Sequence, residues 1–585
     1  MKKKHIVIII MLAALGIVNS CSEDFLERAP NGTVDITVLT SEQGVDNLLI
    51  GAYSLLDGTA NNIGGDAWDG TTTNWLWGSC RGMEANKGSD AGDQPHMNSV
   101  HSFVEDATNP KINNKWRMLY EGISRCNATI TAANLGLAAE NFTQDKYDEF
   151  VAQARALRGF YHFEAWRFWT MIPYVDELTD PYGVTNTEEQ SVIIGKILAD
   201  LEAGTALPND MNNQVGRFNG TVSRALLAKA MMQMNHDYDG ALIHLNWVVA
   251  NGTKPNGEPI GLAPTYGEIF DIVNRNGIEA IYTVQYSVND GSGGANGGNG
   301  EVLNFPYKGN NGSPGGCCGF FVPNQEYVNS FRTENGLPIA NWEYNLDPVV
   351  NDQGLGPAAA FTEDAGTLDP RLDWSVGRRG IPYWDWGIMT GSDWIRDQSY
   401  SGPYSPKKQV YKKSQTGAFT EVGNWTSGWT SNGYRMIRYA DILLMIAECE
   451  IYKSSPDLAA AQTNINLVRA RAANSDGFVM EDDGVTPAAN YDIAEYSAAF
   501  ANVAEAEYAL QMERKLELGM EGHRYFDVVR WNIASTEFPR IITYQKSLSW
   551  GSKLYGEAAF GPEDVNYPVP QRQIDLSSGK IVSNR

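Results

Sequence analysis

The sequence predicts a mainly α-helical protein, an α-solenoid-like frame of helix pairs that carries a loop-rich face. Three observations predict it. Apolar residues recur at helical spacing in successive stretches from residue 40 to 250, joined by short connectors. From Asn251 to residue 433 the composition shifts to Gly, Pro, Asn and isolated aromatics without a sustained period. Helical spacing then returns from residue 434 to the C-terminus. The two helical parts, 40–250 and 434–585, are expected to pack as one body with 251–433 mounted on it.

The first helix is expected over Thr40–Leu56, with Thr40 as its cap, Gln43 three residues on, and an apolar stripe of Val45, Leu48, Leu49, Ala52 and Tyr53. Residues 57–101 break the pattern, being rich in Gly, Asn, Asp and Trp. A long irregular segment in a compact protein is either functional or disordered. Trp68, Trp75, Trp77 and Met83 argue against disorder. Helices follow at Asn113–Leu135, at Gln144–Trp169 with Pro173 beyond it, at Glu188–Leu201, at Ser223–Met234 and from Tyr238 to Val249. These form antiparallel pairs, but the strict tetratricopeptide consensus is absent, so the repeats are degenerate.

In the middle part, Ala280–Tyr286 is strand-like and residues 289–321 form a glycine-rich loop. Helix is expected again at Tyr434–Tyr452, at Asp457–Ala473 and within Glu505–Trp531. In that last stretch Tyr508, Met512, Leu516 and Met520 make an i, i+4 row suited to burial. Around its Gly519 and Gly522 break stand Glu513, Glu517 and Glu521 with Arg514, Arg524, Asp527 and Arg530. Two readings fit these charges: an ion-pair lattice that closes the frame, or a catalytic carboxylate face. No nucleophile or metal geometry accompanies them, which favours the lattice.

The 585 residues are 43% hydrophobic and 11% aromatic, ample for a large core. A net charge of −25 opposes binding to nucleic acid or to an anionic lipid surface, both of which need a dense positive face. The N-terminus has Lys2–Lys4, an apolar run from Ile6 to Val18, and Ser20 before Cys21. These are the parts of a secretory signal over residues 1–20. Val18-Asn19-Ser20-Cys21 is similar to a bacterial lipoprotein signal, which implies lipidation at Cys21, a tether over 21–39 and membrane contact through the lipid alone. Ser22-Glu23-Asp24 resembles the acidic tag of surface-exposed lipoproteins in the Bacteroidetes. The remaining cysteines show no C-x-x-C pair and no metal-like spacing.

Several motifs carry a wider resemblance. Arg438-Tyr439-Ala440-Asp441-Ile442-Leu443-Leu444 followed by Ala447-Glu448 resembles the central helix motif of the SusD/RagB family of outer-membrane nutrient-binding lipoproteins. Ile465 to Ala472, then Glu513-Arg514, Glu517-Leu518, Glu521-Gly522, Arg524, Asp527 and Arg530-Trp531, and finally Tyr567-Pro568-Val569-Pro570 with Ile574, resemble its later segments in order. Upstream, residues 154–161 and Asp369-Pro370-Arg371-Leu372 also fit. The resemblance implies four degenerate tetratricopeptide-like helix pairs supporting a variable binding face. It further implies a cell-surface location, capture of oligosaccharides or in some branches peptides without cleavage, and a SusC-like TonB-dependent transporter as partner.

Hydrolase, zincin and P-loop motifs are absent from the sequence, and no catalytic residue, metal or cofactor is assigned. A surface glycosidase needs only two separated carboxylates, so it stands as the alternative, beside a peptide-binding member of the same family. For sugar binding, aromatic rings supply flat apolar platforms and polar groups pair with hydroxyls. Trp75 and Trp77, beside Asp57, Asp69, Asn74, Arg81 and Asp90, are the first candidates. The competing reading is that these tryptophans plug the frame beneath the loop. The adjacent Cys317 and Cys318 are expected to close a vicinal disulfide knuckle, or to remain two buried thiols. With Phe320 or Phe321 the knuckle would form a second wall opposite the tryptophan loop. Arg378, Trp384, Trp386, Trp394 and Arg396 are further candidates.

Overall fold

The computed structural model describes residues 36–59, 65–307, 312–315, 317–423, 426 and 428–585. The expected signal peptide, Cys21 and most of the tether lie outside the described residues. The main helices are α1 (Glu42–Tyr53), α2 (Pro110–Ala138), α3 (Gln144–Trp169), α4 (Gln190–Ala203), α5 (Gly220–Met234), α6 (Tyr238–Asn251), α7 (Tyr439–Tyr452) and α8 (Leu458–Ala472). Each packs against the next, giving four antiparallel pairs in series, and α9 (Val503–Leu518) closes the stack against α7 and α8. The chain leaves this series after α6 and rejoins it at α7, so α6 packs directly on α7 although the loop-rich part intervenes in sequence.

Local chemistry fixes the helix ends. Side chains of Thr143, Asn219, Asp237, Asp457 and Asn502 each accept a hydrogen bond from a backbone N–H in the first turn, and Pro110 opens α2. The cap of α1 is Ser41, which accepts from Gly44 N at 3.1 Å, and not Thr40 as expected. Close packing of α2 on α3 needs Gly122, where a Cβ would lie 2.6 Å from the Tyr161 ring.

One helix boundary is corrected. Tyr434–Arg438 is not the first turn of α7 but a strand, β4, paired antiparallel with β2 (Ala280–Val284). Met436 and Ile437 are buried in it, Arg438 at its end enters buried ion pairs, and Arg435 bonds Asn432 and the carbonyls of Gly433 and Asp271. The C-terminal stretch breaks at Gly519 and Gly522, where the sequence places a break. α9 stops at Leu518 and α10 (Arg524–Arg530) restarts after a turn in which Met520 and Gly522 have φ of 66° and 82°. A Cβ on Gly522 would run into the Thr73 carbonyl oxygen, so the turn requires glycine at that point. Met512, Leu516 and Met520 are buried as expected and Tyr508 is half-buried.

The opposite face of α9 is buried as well, and this is where the charges go. Arg371 donates to Glu513 at 2.5 Å and to Glu517 at 3.0 Å, and Arg469 reaches the other oxygen of Glu513 at 2.9 Å. Arg438 bonds Glu279, Glu517 and Glu521, and Arg471 joins Glu279 to Glu517. Lys408 completes Glu521 at 2.8 Å. Nearby, Arg514 bridges Asp441 and Asp527, Arg530 bridges Glu448 and Asp527, and Arg524 meets Glu537. All of these side chains are buried. Burial acts to raise the Glu521 carboxyl, but Arg438 and Lys408 outweigh it and hold it at about 2. Glu513, Glu517 and Glu521 are each saturated by cations, so this face is a clasp between helices. Several of its members come from stretches that carry the family motifs: 369–371, 438–441, 469–471 and 513–530.

Candidate ligand-binding site

The irregular segment 57–101 is anchored from below. Lys115, fully buried on α2, donates to the carbonyls of Gly70 and Thr71 and to Asn74 Oδ1 at 2.8–3.1 Å. Asn74, at φ 49°, passes the constraint to α3 by donating to Glu164 at 2.8 Å. A wide helical turn then runs through Trp75–Cys80, closed by Arg81 N bonding Leu76 O at 3.1 Å. In that turn Trp75 and Trp77 diverge. Trp75 donates to Gly300 O and packs edge-on against Phe320 and Phe321, with centroids 6.4 and 5.7 Å away. Trp77 donates to Asp69 O and packs on Phe168 and Tyr567.

Both rings are buried, with 1% and 0% exposure, so neither offers a platform to a ligand. The plug reading of the two tryptophans is the correct one. Other candidates are corrected with them. Asp69 is buried against Lys111 and Asn114, and burial lifts its carboxyl to about 6. Arg81 is buried, bonds Glu105 at 2.8 Å and lies between the rings of Phe103 and Tyr567, both 4.4 Å away. Phe320 is fully buried, and Asn74 is committed to the anchor. Arg378 is buried in a two-point pair with Asp373 at 2.6 and 2.9 Å. Asp57 is half-buried, caps Thr59 N at 2.6 Å, and burial lifts it to about 7. Trp394 is buried too.

The two expected walls do meet, but as a sheet and not across a cleft. Strand β1 (Ala85–Gly88) pairs antiparallel with β3 (Phe320–Pro323). Just before β3, Cys317 and Cys318 are joined in a vicinal disulfide, Cys317 half-buried and Cys318 buried. Beyond β1 the chain turns through Ser89–Asp93, where Ser89 N donates to Gly319 O at 2.6 Å. Buried Lys87 holds this turn from beneath through the carbonyls of Asp90 and Asp93 at 2.7 and 2.5 Å, its ammonium near the rings of Phe320 and Tyr400.

At the surface of this junction the half-buried Tyr307 and the more exposed Arg396 come together, the guanidinium carbon 5.6 Å from the ring centroid. Arg396 bonds Asp90 at 2.8 Å, Asp93 at 2.7 Å and Ser89 Oγ at 2.9 Å. A small core of Phe305, Tyr383, Met389, Trp394 and Ile395 lies directly behind, and Tyr307 N bonds Trp394 O at 2.8 Å. Trp384 and Trp386, both half-buried, pack on that same small core from another side. Trp384 stands at φ 49° with its ring 4.9 Å from Trp374 and the Lys412 ammonium 5.4 Å from its centroid. The surface at Tyr307 therefore combines an aromatic ring, a planar cation, two carboxylates, a hydroxyl and a disulfide, drawn from three loops on a rigid base. Tyr307 and Asp93 were not singled out from the sequence. The signal for Tyr307 was its place at the edge of the glycine-rich segment, an aromatic with no helix to bury it.

Residues 278–585 match the SusD family. The chain belongs to the SusD family. Its N-terminal part, residues 24–232, matches a SusD-like family described as starch-binding and associating with the outer membrane. A SusD-like protein of Formosa agariphila is 22% identical over 549 residues, covering 91% of this chain and 90% of that one. A SusD-like protein of Bacteroides ovatus is 22% identical over 535 residues, covering 88% and 80%. Among solved structures, a laminarin-binding SusD-like protein superposes with a TM-score of 0.63 at 20% identity, covering 93% of this chain and 99% of that one. The surface glycan-binding protein A of Bacteroides thetaiotaomicron, in complex with laminarihexaose, gives 0.61 at 20% identity over the same shares. At these identities the SusD structures share the fold: helix pairs beneath a loop-built face.

Proposed function

We propose that this SusD-family chain is a surface glycan-binding lipoprotein. It captures oligosaccharide and delivers it, uncleaved, to a SusC-like TonB-dependent transporter in the outer membrane. Residues 1–20 serve as the signal peptide, Cys21 carries the lipid, and the following segment tethers the binding body of 40–585 to the outer face of the cell. The observation that carries the reading is the Tyr307–Arg396 surface, bonded to the Ser89–Asp93 turn. A ring edge with carboxylate and hydroxyl groups beside it is the combination that a sugar needs, because its C–H face packs on an aromatic while its hydroxyls pair with polar groups. Trp384 is the secondary candidate on the same loop-rich part. The laminarin-binding relative and the relative solved with laminarihexaose support glycan over peptide.

Calorimetry of the lipid-free protein against a polysaccharide panel and a peptide library tests it. Glycan binding weakened several-fold in Tyr307→Ala, with no reducing ends released, is the expected result. Binding of peptide without glycan, or release of reducing ends by the purified protein, would overturn it. Co-purification of the full-length lipoprotein with a TonB-dependent transporter tests the delivery step.

A further inference from the structure

We infer that the Tyr307–Arg396 surface selects uncharged glycans, and that Asp90 and Asp93 impose this selectivity by neutralising Arg396. The inference rests on the glycan-binding reading and adds the charge class of the ligand. An arginine beside an aromatic ring in a binding loop would ordinarily recruit a carboxylate or sulfate, since the guanidinium fork matches both. Here the fork is already taken. Nη2 lies 2.8 Å from Asp90 Oδ2, and Nη1 lies 2.7 Å from Asp93 Oδ2 and 2.9 Å from Ser89 Oγ. Ser89 Oγ in turn donates to Asp93 Oδ2 at 2.9 Å.

The second nearby cation is out of a ligand's reach. Lys87 is buried, and its ammonium is spent on the carbonyls of Asp90 and Asp93 beneath the turn. Both aspartates, by contrast, keep about a third of their side-chain surface exposed, at 34% and 28%. With Lys87 counted the four charges balance, but the groups a ligand can touch are two exposed carboxylates and one guanidinium whose fork is taken. A uronate or sulfate approaching Tyr307 therefore finds no free cation there and meets the two exposed carboxylates that flank Arg396. A neutral sugar meets acceptors for its hydroxyl protons, because ionised carboxylates accept hydrogen bonds and donate none. Arg396 thus positions the two carboxylates and serves the ligand as a flat edge beside the ring.

The test is calorimetry at low and high salt with two sets of probes. The first is neutral laminari-, cello- and malto-oligosaccharides; the second is oligogalacturonate, oligoalginate and sulfated carrageenan oligosaccharides. The variant is Asp90→Asn with Asp93→Asn. It is chosen because the amide oxygen introduced by Asp90→Asn can still accept from the N–H groups of Gly92 and Asp93, as Asp90 Oδ1 does at 2.9 and 3.0 Å. A single Asp93→Asn protein, which keeps the Asp90 Oδ1 bonds and whose amide oxygen can still accept from Ser89 Oγ, serves as the folding control. The wild type is expected to bind a neutral probe, and to bind every anionic probe at least about tenfold more weakly, as like-charge contact implies. The double variant is expected to gain about tenfold for an anionic probe, a gain that fades at high salt as screened attraction must. A wild type that prefers an anionic probe overturns the inference while leaving glycan binding intact. A well-folded double variant with unchanged anion affinity removes the two aspartates as the cause, and so overturns it as well. Binding to neither probe set defeats the glycan-binding reading itself.

Discussion

Arg438 and Glu521, 83 residues apart in the chain, are joined by two hydrogen bonds of 2.8 and 3.0 Å in the interior. Arg438 ends strand β4 and Glu521 sits in the turn between α9 and α10, so the pair locks the returning chain to the closing helix. Glu517 lies one helical turn before Glu521 and receives Arg371, Arg438 and Arg471 together. Breaking a buried pair from one side leaves uncompensated charge, which costs about 3–5 kcal/mol. Glu517→Gln is therefore expected to lower the unfolding free energy by about that amount in urea titrations. Ligand affinity of the folded fraction should stay unchanged, because none of these groups reaches the Tyr307 surface.

Acid should attack the clasp first. Burial acts to raise Glu326, but Lys515 and Arg540 hold it at about 2, and Glu521 is held there by Arg438 and Lys408. A carboxylate whose folded pKa lies below its unfolded value near 4.5 stabilises the fold fully above 4.5. That stability is lost as pH falls through the window from 4.5 to 2. Urea midpoints measured across this range should drop steeply, and Arg438→Met should flatten the drop by removing the interaction that the protons abolish.

Glu301 should show the opposite sign. Its carboxyl is raised to about 7 by burial, only partly offset by Arg435, which itself is pulled down to about 10 by burial. The two face each other across a small cavity of about 30 Å³, with Lys408 and Glu521 also at its wall. A group with a raised folded pKa stabilises fully below its unfolded value and loses that contribution as pH rises toward 7. Stability referenced to Glu301→Gln should therefore fall between pH 4.5 and 7 in the wild type, by at most about 3 kcal/mol for a shift of this size. Identical pH profiles for the two proteins would show that Glu301 stays ionised.

How far the sequence determines this protein depends on what kind of information each part carries. Helix α3 is legible to its last residue because a cap, an apolar stripe and a stop signal all agree locally. Tyr434–Arg438 was not, because its strand partner lies at Ala280–Val284, and local helical spacing ran on unbroken into α7. The ion clasp could be recognised from residue types at spacings of three and four, but the partners of Glu513 and Glu517 come from Arg371, Arg469 and Arg471, which no local pattern connects to them. The site was the least legible. Tryptophan between glycines suggested a ligand platform, yet Trp75 and Trp77 fill the space under the loop, since a turn of small residues cannot bury itself. Tyr307 looked ordinary until folding placed Arg396 against it.

That reversal gives the sharpest test of where ligand binds. Trp75 is enclosed by Phe320 and Phe321 and bonded to Gly300 O, so Trp75→Ala empties a core site and should cost about 3–5 kcal/mol of stability. The surviving folded protein should bind glycan as the wild type does. Tyr307→Ala removes a half-exposed ring from the surface, so its melting temperature should hardly change, while affinity should fall by about 0.5–1.5 kcal/mol, roughly two- to twelvefold. Thermal melts and calorimetry on the two variants separate the roles. If Trp75→Ala kept its melting temperature and lost the ligand, the tryptophan would be the platform after all, and the Tyr307–Arg396 surface would have to be given up as the site.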